Sequence, residues 1–420
     1  MATQAAFDGQ ANLGRIRAEV AGALDLFLAR QRETLAAIGD DLLPCLDAME
    51  GLLAGGKRLR PAFCYWGWRA AGGQDCPEIY TAAAALELLQ ASALVHDDVM
   101  DASDTRRGGP AVHRQFASLF AAGQLGSGGS AGQAGLADQA GLADQAGLAG
   151  QAGSAQLAGS ADQFGAGAAI LIGDMLLAWT DELYHASGLT ADVLSHGQPA
   201  LNAMRTEVAA GQYLDLLSQV SHSTSVRAAL RVVTYKTAKY TIQRPLQLGA
   251  ALAGGALAAR TRAAMAAGAA RLRPGAPLAD ASAIAAIEAI STEYGIPLGI
   301  GFQLRDDILG VFGDPARTGK PVSGDISEGK RTVLMALARE RADAHQARVL
   351  DRHLGDRSLT EAAAANVKAV LTDTGAVAEC EALIAASVKE AISALDGAPI
   401  AEEARAALAA LAVMATDRLD

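Results

Sequence analysis

The sequence predicts an all-α protein, and three observations carry that expectation. Apolar residues make up 51% of the chain and aromatics only 4%, so the apolar content is mostly Ala and Leu, which favour helix over strand. Apolar residues recur at spacings of three and four over long runs. No run reads as the apolar–polar alternation of a half-buried strand.

The helical runs follow one another with clear punctuation. Residues 13–53 and 78–101 carry the recurrence, separated by Ala71-Gly-Gly-Gln-Asp75. It continues through 166–185, 198–217, 226–252 and 281–309, with a Pro-Gly cluster at Arg273-Pro-Gly-Ala-Pro277 before the last of these. Residues 332–351, 361–372 and 377–395 complete the set. One segment, 123–163, is almost wholly Gly, Ala, Ser, Gln and Leu, and Ala-Gly-Leu-Ala-Asp-Gln stands at 134–139 and again at 140–145. A six-residue period gives a helix no continuous apolar face, so this reads as a low-complexity insertion at about 121–163 in a surface loop rather than as solenoid turns. Length alone would admit two or three domains in 420 residues. The uniform helical pattern points instead to a single large helical bundle domain, 1–420, carrying that insertion.

Charge and cysteines exclude several classes. With 35 Lys plus Arg against 46 Asp plus Glu, the net charge of -11 argues against non-specific nucleic-acid binding. Cys45, Cys64, Cys76 and Cys380 form no CxxC pair and no His-containing metal spacing, so free thiols are expected. The first twenty residues lack an apolar core like that of a secretory signal, and the longest uncharged apolar stretch, 245–259, is short and broken by Gly249, Gly254 and Gly255. A soluble, cytoplasmic protein without a membrane span is expected.

The sharpest chemical feature is His96-Asp97-Asp98-Val99-Met100-Asp101, closing a long apolar helix. Asp97 and Asp101, four residues apart, share one helix face, and carboxylates crowded there call for a hard cation. Mg²⁺ suits them, because it binds through one or two carboxylates plus substrate phosphates. A second acidic pair, Asp306-Asp307 in Gln303-Leu-Arg-Asp-Asp-Ile-Leu-Gly310, ends another apolar run. The two sites, facing one another, would form a Mg²⁺ clamp for a diphosphate. Cations gather in four places: Lys57 and Arg60 in Gly55-Gly-Lys-Arg-Leu-Arg-Pro61, Arg106 and Arg107 after the first acidic site, Lys236 beside Thr237 within a helix, and Lys320 and Lys330 in a Gly-rich loop. Arg forks and Lys point charges both bind phosphate oxygens. Gly51-x4-Gly56-Lys57 and Gly324-x4-Gly329-Lys330 imitate the start of a P-loop, but Arg follows each Lys and no strand is expected before either.

Together these residues resemble the trans-isoprenyl diphosphate synthase (polyprenyl synthetase) family, most closely its bacterial geranylgeranyl diphosphate synthases. The resemblance covers nearly the whole chain outside the insertion and rests on five motifs in order: Gly-Gly-Lys-Arg-Leu-Arg-Pro, Asp-Asp-x-x-Asp running into Arg-Arg-Gly-Gly-Pro, Gly211-Gln-Tyr-Leu-Asp215, Lys236-Thr237, and Phe302-Gln-Leu-Arg-Asp-Asp. It implies an isoprenoid-synthase helical bundle with a central active-site cavity, and a homodimer. It implies that Lys57, Arg60, Gln90 and Arg107 hold isopentenyl diphosphate. Arg106, Lys236, Thr237, Gln303, Lys320 and Lys330 would hold the allylic diphosphate, with Mg²⁺ on Asp97, Asp101 and Asp306. Asp98 belongs to the same catalytic group, and Asp307 is expected to support Asp306. Many members carry a third Asp where this chain has Gly310, with Asp314 four residues on.

The implied reaction is ionisation of the allylic C–O bond, attack by the isopentenyl double bond, and loss of a proton. Charge stabilisation on the departing diphosphate drives it, with apolar walls excluding water. His96 and His113 are expected to be structural, and the family's use of released diphosphate as base fits the lack of a dedicated one. On the helix before Asp97, Ala93, Ser92 and Leu89 share its face, and Leu89 lies roughly 12 Å beneath the metal site at 1.5 Å per residue. Small residues at 92 and 93 leave room for a C20 product. Two rivals differ in kind: a class I terpene cyclase, for which Lys57, Arg60 and Arg107 would be idle, and a non-catalytic partner subunit, which would have lost acidic or basic motifs.

Overall fold

The computed structural model describes residues 9–125, 159–221, 224–266, 279–313 and 324–416. Most of the insertion, with Lys320 and Asp314, lies outside the described residues.

The helices are α1 (Gly9–Ile38), α2 (Leu43–Leu53), α3 (Leu59–Ala70), α4 (Pro77–Met100), α5 (Val112–Ala121), α6 (Ala161–His185), α7 (Ala191–Val220) and α8 (Val226–Val232). A π-helical segment, Val233–Gln243, leads into α9 (Arg244–Ala266). After it come α10 (Ala279–Phe312), α11 (Gly324–Ser327), α12 (Val333–Arg341), α13 (Ala344–His353), α14 (Glu361–Asp373), α15 (Ala376–Ser393) and α16 (Glu402–Thr416). The all-α expectation holds, with corrections. The 13–53 run is two helices, broken at Gly39 and a 3-10 turn, Asp40–Leu42, before Pro44. The 332–351 run divides at extended Ala342, where Asp343 caps the next helix through a capping box with Gln346. Helices α3, α5 and α16 lie outside the runs read from periodicity. A two-stranded hairpin was also not expected: β1 (Thr105–Arg106) pairs antiparallel with β2 (Gly109–Pro110). Arg107 (φ 53) and Gly108 (φ 79) form its two-residue turn, both in the left-handed region that such tight turns need.

The chain forms two compact units: Met1–Leu24, Gly56–Leu89 and Trp179–Asp420 in the first, and Asp25–Gly55 with Gln90–Ala178 in the second. Within the first, Leu304, Ile308 and Val311 of α10 bury against Val333, Leu334, Leu337, Val367 and Ile384, which fixes the helix end carrying Asp306 and Asp307. The same helix is held on its other flank, where the Tyr294 hydroxyl donates to the Leu408 carbonyl at 2.8 Å. Arg305, next to Asp306, grips both oxygens of Glu381 at 2.6 and 2.7 Å. Within the second unit, Val95, Asp98 and Asp101 at the end of α4 are buried, as are Phe116 of α5 and Ile172 and Leu176 of α6. By length and composition alone α4 and α6 are long and apolar enough to cross a membrane, a test that a core helix also passes; the apolar window of α4 is 72% buried inside the protein and that of α6 39%. The four cysteines are free, with Cys64 and Cys380 buried.

Candidate active site

The first acidic motif sits where electrostatics oppose it. Three carboxylates crowd the C-terminal end of α4, which already carries the negative pole of the helix dipole. The hairpin supplies the countercharge. Arg106 Nε lies 2.9 and 3.1 Å from the Asp98 oxygens, its Nη2 also binds Asp98, and Nη2 stands 3.8 Å from Asp97. Asp98 is 1% exposed, and burial outweighs Arg106 to push its carboxyl above the usual range. Asp101 continues the last turn, its N–H donating to the Asp97 carbonyl at 2.8 Å, so Asp97 and Asp101 remain one turn apart as the spacing predicts. Arg107, on the hairpin turn, donates to the Leu52 carbonyl at 2.6 Å. His96 Nε2 lies 3.2 Å from the Ile170 carbonyl oxygen, whereas buried His113 Nδ1 has no hydrogen-bond partner among the described residues.

In the other unit, Lys57 and Arg60 flank Arg58, which takes a left-handed backbone (φ 51) and turns inward to Glu87 at 2.5 Å, both side chains 7% exposed. Arg60, in the first turn of α3, donates to Thr241 Oγ1 at 2.8 Å and lies over the Tyr240 ring at 4.4 Å. Among the described residues the non-glycine positions with positive φ are Arg58, Ala102 and Arg107. Each adjoins a residue singled out from sequence, the pattern expected where local strain of about 1–3 kcal/mol is tolerated at a working site.

Lys236 and Thr237 lie in the π segment, where the Arg244 N–H reaches back five residues to the Lys239 carbonyl. Such segments often mark functional sites. Lys236 Nζ meets Asp215 of α7 at 2.7 Å. Gly211 permits this approach: a Cβ there would stand 2.7 Å from Lys236 Cα. Thr237 donates to Gln303 Oε1 at 2.6 Å, and Gln303 Nε2 donates to Asp307 Oδ1 at 2.8 Å, so residues from two separate motifs form one relay. Asp307 is 4% exposed; burial, reinforced by the charges of Asp325 and Asp306, pushes its carboxyl up to about 8. Lys330 Nζ lies 2.8 Å from Glu328 and 3.5 Å from Asp325.

Gln90 Oε1 is buried without a hydrogen-bond partner among the described residues, and Leu89 and Ser92 are each 3% exposed while Ala93 is half-buried. Sequence reasoning missed the roles of Glu87, Asp215 and Asp325. The first two carried a signal: each is the lone charge in an apolar stretch of helix, and a charge buried there needs a partner.

The donors of both acidic motifs are carboxylate oxygens, which suit a hard divalent cation. Among the described residues no three His, Cys, Asp or Glu side chains converge into a closed metal cage. Mg²⁺ asks for less, since it takes one or two carboxylates and completes its shell with water and phosphate.

Comparison with known proteins gives a consistent result. The family pattern described as polyprenyl synthetase matches residues 44–123, 158–272 and 266–372. A geranylgeranyl diphosphate synthase of Mycobacterium tuberculosis is 29% identical over 338 residues, 79% of this chain and 72% of that protein. The structure of a geranylgeranyl pyrophosphate synthase from Corynebacterium glutamicum, complexed with isoprenyl diphosphate and magnesium, is 35% identical with a TM-score of 0.78, covering 97% of this chain and 99% of that one. A polyprenyl synthase from Caulobacter crescentus, complexed with calcium and isoprenyl diphosphate, is 25% identical with a TM-score of 0.69 over the full length of both chains.

Proposed function

The chain belongs to the polyprenyl synthetase family, and from that premise we propose that it is a Mg²⁺-dependent trans-prenyltransferase. It condenses isopentenyl diphosphate with an allylic diphosphate to give a trans-polyprenyl diphosphate, chiefly geranylgeranyl diphosphate (C20). The observation that carries this reading is that acids and cations are built together at each motif: Arg106 on Asp98, Lys236 on Asp215, and Lys330 on Glu328 and Asp325. A metal–diphosphate needs both signs of charge within reach, and a solvated acidic or basic surface supplies only one.

In this reading Asp97 and Asp101, and Asp306 on α10, hold Mg²⁺, which when bound neutralises charge on the departing diphosphate. Arg106, Lys236, Lys330 and Lys320 bind the phosphate oxygens of the allylic substrate. Lys57, Arg60, Gln90 and Arg107 hold isopentenyl diphosphate. Asp98 fixes Arg106, and Asp215 fixes Lys236. Thr237, with its proton directed to Gln303, turns its oxygen lone pairs toward developing positive charge as the C–O bond breaks. The isopentenyl double bond attacks the allylic carbon, and the proton then lost passes to the released diphosphate. The whole chain acts as one cytoplasmic catalytic domain. It pairs as a homodimer, for which the exposed apolar stripe of Phe164, Ile170, Leu171 and Leu177 on α6 offers a face.

The test is turnover by purified protein with Mg²⁺. Consumption of an allylic diphosphate only when isopentenyl diphosphate is also present supports the proposal. A cyclic hydrocarbon from the allylic substrate alone indicates a terpene cyclase, and absence of turnover a partner subunit.

A further inference from the structure

The two acidic motifs differ at one place. Asp97 and Asp101 stand four residues apart, while the position four residues after Asp306 is Gly310, which has no side chain to offer. That space is nonetheless filled by a carboxylate. A Cβ added to Gly310 would overlap the Asp325 side chain, falling 2.5 Å from its Cγ. Asp325 enters from α11, is 5% exposed, and keeps Oδ1 3.5 Å from Lys330 Nζ. A second observation marks the place as built for more than packing. Asp307, three residues before Gly310 on the same helix, is 4% exposed, and its Oδ2 is buried with no hydrogen-bond partner among the described residues. A buried carboxylate oxygen with no donor is costly unless something positive or a bound water comes to it.

We infer that Asp325 stands in for a side chain at position 310, completing the second acidic site from a different element and orienting the water shell and Lys330 around a metal–diphosphate held at Asp306. Since no three acids converge for direct ligation among the described residues, Asp325 acts as a positioning residue through metal-bound water, which Mg²⁺ retains. This rests on the reading of Asp306 as a metal ligand. It also explains Gly310 physically: any larger residue there would expel Asp325.

The test uses the full chain and Mn²⁺ with inorganic pyrophosphate, read by electron paramagnetic resonance titration, beside metal-free thermal unfolding. Asp325→Asn is expected to weaken Mn²⁺ binding about tenfold, the scale for partners one layer out from a metal. Gly310→Asp alone is expected to lower both the unfolding midpoint and the binding. The swap Gly310→Asp with Asp325→Gly returns the acid to α10 and is expected to restore binding to within about threefold of the parent, on the same scale; it decides the matter even if Asp325→Asn folds poorly. Unchanged binding in Asp325→Asn, while Asp306→Asn weakens it, would overturn the inference alone. So would a folded swap that binds no better than Asp325→Asn. Equal binding by the parent and Asp306→Asn would sink the metal reading beneath it.

Discussion

Replacing Glu87 by Gln leaves the Arg58 guanidinium facing a neutral amide at a site where both side chains are 7% exposed and 2.5 Å apart. Removing one partner of a buried ion pair costs about 3–5 kcal/mol, because the remaining charge stays desolvated. At about 2.1 cal/mol/K per residue the unfolding entropy of this 420-residue chain is on the order of 0.9 kcal/mol/K, so the midpoint should fall by roughly 3–6 °C. Replacing both partners, Arg58→Met with Glu87→Leu, removes the buried charges together and should recover most of that loss. The pair also ties down the chain where it enters α3, the stretch that carries Lys57 and Arg60, so Glu87→Gln should raise KM for isopentenyl diphosphate more than it lowers kcat. Differential scanning calorimetry on the parent and these two variants measures the stability terms. A shift under about 1 °C in Glu87→Gln, or a double variant as unstable as the single, would refute the reasoning.

Lys236→Ala should lower kcat by about a hundredfold to a thousandfold, the scale for one charge-stabilising donor, with the allylic KM less affected; steady-state kinetics with varied allylic substrate decides it. Ser92→Phe should shorten the product, since Ser92 is buried on the face beneath Asp97, and an unchanged chromatographic profile counts against that. Glu207 is partly desolvated, which would raise its carboxyl, but hydrogen bonds from Arg244 and Lys239 win and hold it below its ordinary value of 4.5. A depressed carboxylate contributes stability that is full above its unfolded pKa and lost as pH falls through its folded one. The midpoint difference between parent and Glu207→Gln should therefore be largest near neutral pH and shrink below about 4.5, and a difference independent of pH would contradict the assignment.

Much of the fold was legible because long Ala- and Leu-rich runs carry a strong 3.6-residue signal, and the runs ending at Asp101 and near Asp307 fall close to the observed helix ends. Helix α3 is missing from the periodic runs because Leu59–Ala70 is buried on nearly every side, so its apolar residues show no face to count. The hairpin escaped because two-residue strands have no alternation to detect, although Arg107-Gly108 is a plausible tight turn only in hindsight of its positive φ values. At the site, the individual motifs were legible and their local partners were not. Nothing in the spacing of Asp215 and Lys236, or of Thr237 and Gln303, places them together; that follows from Gly211 letting two helices touch and from the wider π turn. Asp325 filling the space at Gly310 is likewise a contact between elements, visible only once α11 is placed.

The central claim is tested most directly by product chain length from radiolabelled isopentenyl diphosphate, with dimethylallyl, geranyl and farnesyl diphosphates supplied in turn as primers under saturating Mg²⁺. The account predicts elongation from each primer that converges on a C20 diphosphate and stops when Mg²⁺ is chelated. Absence of elongation from all three, or turnover that persists without a divalent cation, would contradict it.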